Sequence, residues 1–233
     1  MGESVRNATL ILMALNELPA LRAWWDRIPR HLVRECIAVD GGSTDGTREF
    51  LAGRGVRVVT QERPGWGEAA RLGVLATEMP HVVFFNPDGN NDPEDIPLLL
   101  DRLEAGFDLV IASRFMPESV HAEDGLYLKP RARGCQAFTR AANRLFGSGY
   151  RVTDATNGFR AVTRSAFLRL ALDAPGFELA YQMTIQAMRA GLRIAEIPTF
   201  EGPRLAGSSK FRIVPAGLEH LKVLGCEWWT SRR

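Results

Sequence analysis

The chain has 233 residues, 45% hydrophobic and 24% charged, with 29 Lys and Arg against 27 Asp and Glu and a net charge of +2. That composition is ordinary for a globular protein with one sizeable core, and charge so near balance makes neither nucleic acid nor a membrane an obligatory partner. Cys36, Cys135 and Cys226 are far apart and fit no disulfide framework or metal-ligand spacing, so they read as reduced thiols of a cytosolic protein.

In chain order, the short apolar run Leu10–Leu15 lacks a basic leader and a cleavage site and belongs to a strand over Thr9–Ala14 rather than to a signal peptide. Glu17–Ile28 follows with helical spacing. Cys36–Val39 is the next strand, stopped by Asp40-Gly41-Gly42, and a helix opens near Asp45. Val56–Thr60 reads as a strand, Glu68–Thr77 as a helix, and Val82–Phe85 as a buried strand ending in Asn-Pro-Asp-Gly. Asp92 then caps a helix whose first turn carries Pro93, Glu94 and Asp95, the residues a helix start favours. Leu109–Ala112 is a fifth strand. Residues 115–130 read as a loop and 131–146 as a basic amphipathic helix. Phe159–Val162 is a short strand, Glu178–Ala190 a helix capped by Gly191, Arg193–Ile197 a strand, and a last helix starts near Pro215. Nearly all-apolar strands alternating with helices predict a single α/β domain, its sheet mostly parallel and covered by helices on both faces. No apolar run reaches the ~18 residues of a membrane span, so membrane contact is expected only at the surface.

Ligands of such sheets bind outside the carboxyl ends of the strands. Those ends carry Asn16-Glu17, Asp40, Arg63, Asn86 to Asn90 and Ser113-Arg114. Asp88, delivered by a buried strand, and the amide of Asn90 suit a hard, oxygen-seeking cation such as Mg²⁺ or Mn²⁺ completed by phosphate oxygens, whereas a plain Pro-Asp-Gly turn is the competing reading. Gly65-Trp66-Gly67 opens a helix, and free amides there suit an anion. Six basic residues between Gly125 and Thr153 (Lys129, Arg131, Arg133, Arg140, Arg144 and Arg151), without one acid, read equally as a solvated face or as a phosphate- and membrane-directed patch. Near the end, Arg204 and Lys210 bracket a Gly- and Ser-bearing loop, and Trp228-Trp229 precede Arg232-Arg233, which suits a membrane interface as well as ordinary packing.

In this order the segments resemble glycosyltransferase family 2, and within it the dolichyl-phosphate (polyprenyl-phosphate) mannose and glucose synthases. The likeness runs from about Thr9 to Arg212. It rests on Asn16-Glu17, Val39-Asp40-Gly41-Gly42-Ser43-Thr44-Asp45-Gly46-Thr47, Arg63 through Gly73, Asn86-Pro87-Asp88, and Ile111 through Phe115. Asp154…Asn157-Gly158-Phe159-Arg160 and Glu196-Ile197-Pro198 with Arg204…Gly207…Ser209-Lys210 complete it. The resemblance implies a GT-A-type domain, read over 1–233 with a nucleotide-sugar-binding half at 1–115 and an acceptor-binding half at 116–212; beyond the likeness, the C-terminal helix at 213–233 fits a place on a membrane surface or packing on the body equally. It implies metal-dependent, inverting transfer of a hexose from GDP-mannose or UDP-glucose to a polyprenyl phosphate at the cytoplasmic face of a membrane, with no nucleic-acid partner.

By that resemblance Asn16, Glu17 and Asp40 hold the nucleoside, and Arg63 or the amides at Gly65 and Gly67 hold the diphosphate. Asp88 and Asn90 hold Mg²⁺ or Mn²⁺, and Arg114, Arg131, Arg204 and Lys210 gather the acceptor phosphate. The chain departs from the family at Leu15, Gly41, Asn86 and Gln182, where an aromatic, two aspartates and a glutamate are usual. An amide at 182 cannot act as a base, but a phosphate acceptor, already largely dianionic at neutral pH, needs none. The rivals are transfer to a soluble hydroxyl acceptor, with Glu178 or Asp154 as base, a nucleotidyltransferase, and a catalytically weakened nucleotide-sugar-binding homologue. Arg160, Arg204 and Lys210 speak against the last of these, and the absence of a glycine-rich basic loop after the first strand against the nucleotidyltransferase.

Overall fold

The computed structural model describes residues 4–122, 129–147, 149–205 and 213–232. Fifteen strands and helices of at least four residues lie among them, starting with β1 (Arg6–Ala14), α1 (Leu18–Trp24), β2 (Val33–Asp40), α2 (Thr47–Ala52) and β3 (Arg57–Thr60). Then come α3 (Trp66–Leu75), β4 (His81–Phe85), α4 (Asp95–Glu104), β5 (Leu109–Ser113) and α5 (Pro130–Phe146). The chain continues through β6 (Arg160–Thr163), α6 (Arg164–Arg169), α7 (Glu178–Arg189), β7 (Ile194–Pro198) and α8 (Ile213–Thr230). The strands form one sheet in the order β3-β2-β1-β4-β6-β5-β7, parallel except for β6, which runs against β4 and β5.

The apolar runs follow from this burial. Along β1 the pleat sends Leu10 and Leu12 to one face and Ile11 and Met13 to the other, and both faces are covered. One face packs on α1, α2 and α4, the other on α3, α5, α6 and α7. α4 shows the helical equivalent: Ile96, Leu99, Leu100 and Leu103 form its buried stripe, and truncating Leu99 to Ala would cost about 2–5 kcal/mol. α8 lies on α5 and α7, where His220 meets the rings of Phe138 and Tyr181 at 5.1 and 5.4 Å.

Differences from the sequence reading are local. The helix expected over Glu17–Ile28 ends at Trp24 and tightens into a 3₁₀ turn at Trp25–Arg27. The helix expected from Asp92 starts at Asp95, and Asp92 instead caps the preceding turn through the Glu94 amide. Six-residue α6, too short to show a period, was not foreseen. The three cysteines are free thiols, and burial pushes that of Cys36 up to about 12.

The topology also says where a ligand belongs. From β1 the chain moves outward to β2 and β3, then returns across β1 to β4. The strand order therefore reverses between β1 and β4, and a crevice opens beyond the carboxyl ends of these two strands.

Candidate active site

A cavity of about 650 Å³ occupies that crevice, a size suited to a nucleotide-scale ligand. The loop after β1 contributes Leu15 and Glu17, the loop after β4 contributes Asn86, Asp88 and Asn90, and the segment after β5 contributes Arg114. The segment after β7 closes the site: the Gly202 amide donates to the Asn90 carbonyl at 2.7 Å and the Leu205 amide to the Asp88 carbonyl at 3.2 Å.

Near β1 and β4, Arg204 is clamped between two acids. Its guanidinium donates to both Glu17 oxygens at 2.6 and 2.8 Å and to Asp88 Oδ2 at 2.6 Å. Burial pushes the Asp88 carboxyl up to about 6, against the pull of Arg204. Beside it, the Trp66 indole donates to Asn86 Oδ1 at 3.2 Å. Gly158 lies under the Trp66 ring, where a Cβ would come to 3.0 Å.

Toward β5, Arg114 makes a two-pronged pair with Asp154 at 2.7 and 3.0 Å, and both side chains are buried. Burial alone would raise the Asp154 carboxyl. The charge and hydrogen bonds of Arg114 and the Thr156 amide outweigh it and hold the group at about 2. Glu196 fixes this loop by accepting from the Thr153 and Asp154 amides at 2.7 and 2.9 Å. A second buried acid, Glu201, stands 2.7 Å from Arg131 and 3.6 Å from Arg114.

Of the residues expected from the sequence, Glu17, Asp88, Asn90, Arg114, Arg131 and Arg204 line this one cavity. Lys210 lies outside the described residues. Four others do not come to the cavity among the described residues. The Asp40 carboxylate turns back to accept from the Gly42 and Ser43 amides. Asn16 clamps the same loop, its Oδ1 accepting from the Thr44 amide at 2.8 Å. Arg63 is exposed and paired with Glu68 at 3.0 Å. Gly67, like Gly65, faces a packing constraint: a Cβ at Gly67 would collide with the backbone of Ala174 and Pro175 and one at Gly65 with that of Pro175, and the Glu68 amide is already taken by the Pro175 carbonyl. At this helix start the protein's own carbonyl thus takes the Glu68 amide, while Gly65 itself lines the cavity.

The expected base candidates are engaged as well. Asp154 is locked to Arg114, and Glu178 accepts from the Gly176 amide at 2.8 Å. Gln182 ties Asp173 to Glu227, away from the cavity. Arg160 is fully buried and donates to the carbonyls of Asn157 and Ala180, so it is a strut behind the site. The sequence reading missed Gln61, Trp66, Asn91, Glu201 and His220, all of which line the cavity. They come from loops and helices distant in sequence, and only Trp66, within the Gly-x-Gly segment, carried a local signal.

A largely parallel, doubly covered sheet with a charged crevice at its switch point defines an α/β protein built to hold a nucleotide-scale ligand. The model of "Glycosyl transferase family 2" matches residues 9–171, and the chain belongs to that family. Glycosyltransferase AglJ of Haloferax volcanii is 34% identical over 173 residues, 74% of this chain. The chain spans only 55% of that relative's length. A dolichyl-phosphate hexose transferase of the same organism is 34% identical, covering 70% of this chain and 68% of its own. Among solved structures, glucosyl-3-phosphoglycerate synthase of Mycobacterium tuberculosis with Mn²⁺, uridine diphosphate and phosphoglyceric acid superposes with a TM-score of 0.74 at 25% identity, over 96% of this chain and 78% of that one. Its complex with Mg²⁺ and uridine diphosphate gives 0.72 at 26% identity, over 96% and 80%. The single domain is thus of the GT-A type.

Proposed function

We propose that the protein transfers a hexose from GDP-mannose or UDP-glucose to a polyprenyl phosphate, with inversion. The observation that carries this reading is one cavity with two arginine–carboxylate clusters, Glu17–Arg204–Asp88 beside the β1/β4 crevice and Arg114–Arg131 toward β5. The relative that acts on dolichyl phosphate supports the acceptor. Residues 1–115 then serve mainly the donor and 116–212 mainly the acceptor, with Arg204 reaching back to the donor end and Arg114 standing at the acceptor end.

A divalent cation fits the donor end. Asp88 is a buried carboxylate on which Arg204 already sits as a positive stand-in, and the Asn90 amide follows two residues later. Among the described residues no three acids, histidines or cysteines converge on one point. An ion on Asp88 and Asn90 would therefore take its remaining ligands from the diphosphate, as Mg²⁺ commonly does. Bound there, it would neutralise charge on the departing nucleoside diphosphate. Glu17 orients Arg204, which would be able to turn to phosphate oxygens if a cation shared Asp88. Arg131, nearer solvent than Arg114, takes the acceptor phosphate, while Asp154 keeps Arg114 in its fork. Positioning and electrostatics carry the rate, and no covalent intermediate is required.

A second reading, transfer to a small soluble phosphorylated acceptor, is favoured by Glu201. This buried acid lines the cavity and offsets part of the charge of Arg114 and Arg131, from which it stands 3.6 and 2.7 Å away. The glucosyl-3-phosphoglycerate synthase likeness supports the same reading.

The test is nucleoside diphosphate release from GDP- and UDP-sugars with Mg²⁺ or Mn²⁺, with a short polyprenyl phosphate, with 3-phosphoglycerate, and with neither. Release that needs the lipid phosphate and Asp88 upholds the first reading. Release only with the soluble acceptor replaces it by the second. Absence of nucleotide-sugar binding removes both.

A further inference from the structure

The two helices that close the acceptor end turn a different chemistry outward. On α8, Val214 is 73% exposed, Leu218 56%, Leu221 55%, Trp228 38% and Trp229 60%. With Gly225 they recur at intervals of three and four, so they share an arc about 100° wide along the whole helix. Such an arc normally faces a core, but here it faces outward. The two acids of α8 are neutralised, Glu219 by Lys222 at 2.6 Å and buried Glu227 by Arg189. The guanidinium of Arg232 lies over the Trp228 ring at 4.0 Å.

Against α8 packs α5, which has four arginines and no acid. Arg133, Arg140 and Arg144 are exposed and fall on one side of it, opposite the buried Ala132, Cys135, Thr139 and Ala142. The inner sides of the same helices give Arg131, Cys135 and His220 to the cavity. An apolar arc ending in two tryptophans beside a row of arginines that pair with no acid among the described residues is complementary to a surface with an apolar interior and anionic headgroups.

We infer that α5 and α8 together dock the protein on an anionic bilayer, the arc of α8 entering the acyl boundary and the arginine row of α5 meeting lipid phosphates. The purpose of this contact rests on the lipid-phosphate reading of the acceptor, since it would set the cavity's acceptor end against the membrane that holds the substrate. Among the described residues no helix is long and apolar enough to cross a membrane, so the contact is a surface one.

Co-sedimentation with vesicles tests this without donor or acceptor. The protein is expected to bind phosphatidylcholine–phosphatidylglycerol vesicles and to bind pure phosphatidylcholine far more weakly. Each of Arg140→Gln and Arg144→Gln should lower the partition coefficient about fivefold. The double change Leu218→Glu with Leu221→Glu should abolish binding, with circular dichroism unchanged because both side chains are already exposed. Equal binding by that double variant, or none by the parent chain, overturns the inference. So does a dimer that the double variant dissociates without any vesicle effect, which would give the arc to a second copy. Turnover on a detergent-solubilised short polyprenyl phosphate separates the two ideas. Vesicle binding without any such turnover would sink the acceptor reading and leave the docking surface standing.

Discussion

The two ends of the cavity use the same ingredients, arginine and carboxylate, in opposite ways. At the β1/β4 end Asp88 is pushed up to about 6 by burial, so its one arginine does not fully compensate the lost water. Toward β5 Asp154 is held at about 2, because Arg114 grips it with two nitrogens and backbone amides add to the grip. One carboxylate is ready to accept a further positive charge. The other is already satisfied and serves as part of the scaffold.

The sharpest test of that contrast is to remove each acid. Asp88→Ala should lower turnover about a thousandfold, the scale of losing a main electrostatic stabiliser, and leave the melting temperature unchanged or slightly raised. Asp154→Ala should do the reverse. It leaves the buried Arg114 with only the more distant Glu201, at 3.6 Å, and should cost about 3 kcal/mol in urea unfolding. If Asp154→Ala melts like the parent, the scaffold role is wrong.

Acid unfolding sharpens the same point. The folded value of Asp154, about 2, lies below its ordinary 3.8, so its contribution is present above pH 3.8 and lost as pH falls through 2. The loss should be about 2 kcal/mol across that window, and an Asp154→Asn chain should lack this component when unfolding is followed by circular dichroism against pH. Arg131→Gln should raise the acceptor KM about tenfold, the effect of losing one charged hydrogen bond, with the nucleotide-sugar KM unmoved. Smallest of all, Arg63→Gln should change kcat/KM less than about twofold, because this exposed pair with Glu68 stands away from the cavity. A large loss there would restore the diphosphate role expected from the sequence.

Much of the fold was legible because its strands are buried on both faces and therefore read as short apolar runs closed by polar residues, as at Val82–Phe85 before Asn86. The direction of β6 was not, since four residues carry no sign of which way they pair. For the site, sequence gives the strand end but not the side-chain direction. Asp40 ends one buried strand and Asp88 follows another, yet Asp88 lines the cavity and Asp40 caps its own turn. Arg114 and Arg131 could be named, but the acids that hold them could not be paired with them, because Asp154 and Glu201 arrive from elements 40 and 70 residues away. His220 and Gln61 had no pattern of their own, as only folding brings them to the crevice.

The glycine pair at the start of α3 has a consequence for the history of this chain. Gly65 and Gly67 admit the backbone of Ala174 and Pro175, more than a hundred residues away, with no side chain between the two segments. Drift at one segment is thus barred unless the other retreats, and lineages that keep this wall of the crevice should keep both glycines whatever sugar or acceptor they come to use. Their persistence across relatives would then record an architectural inheritance and carry no information about the substrate.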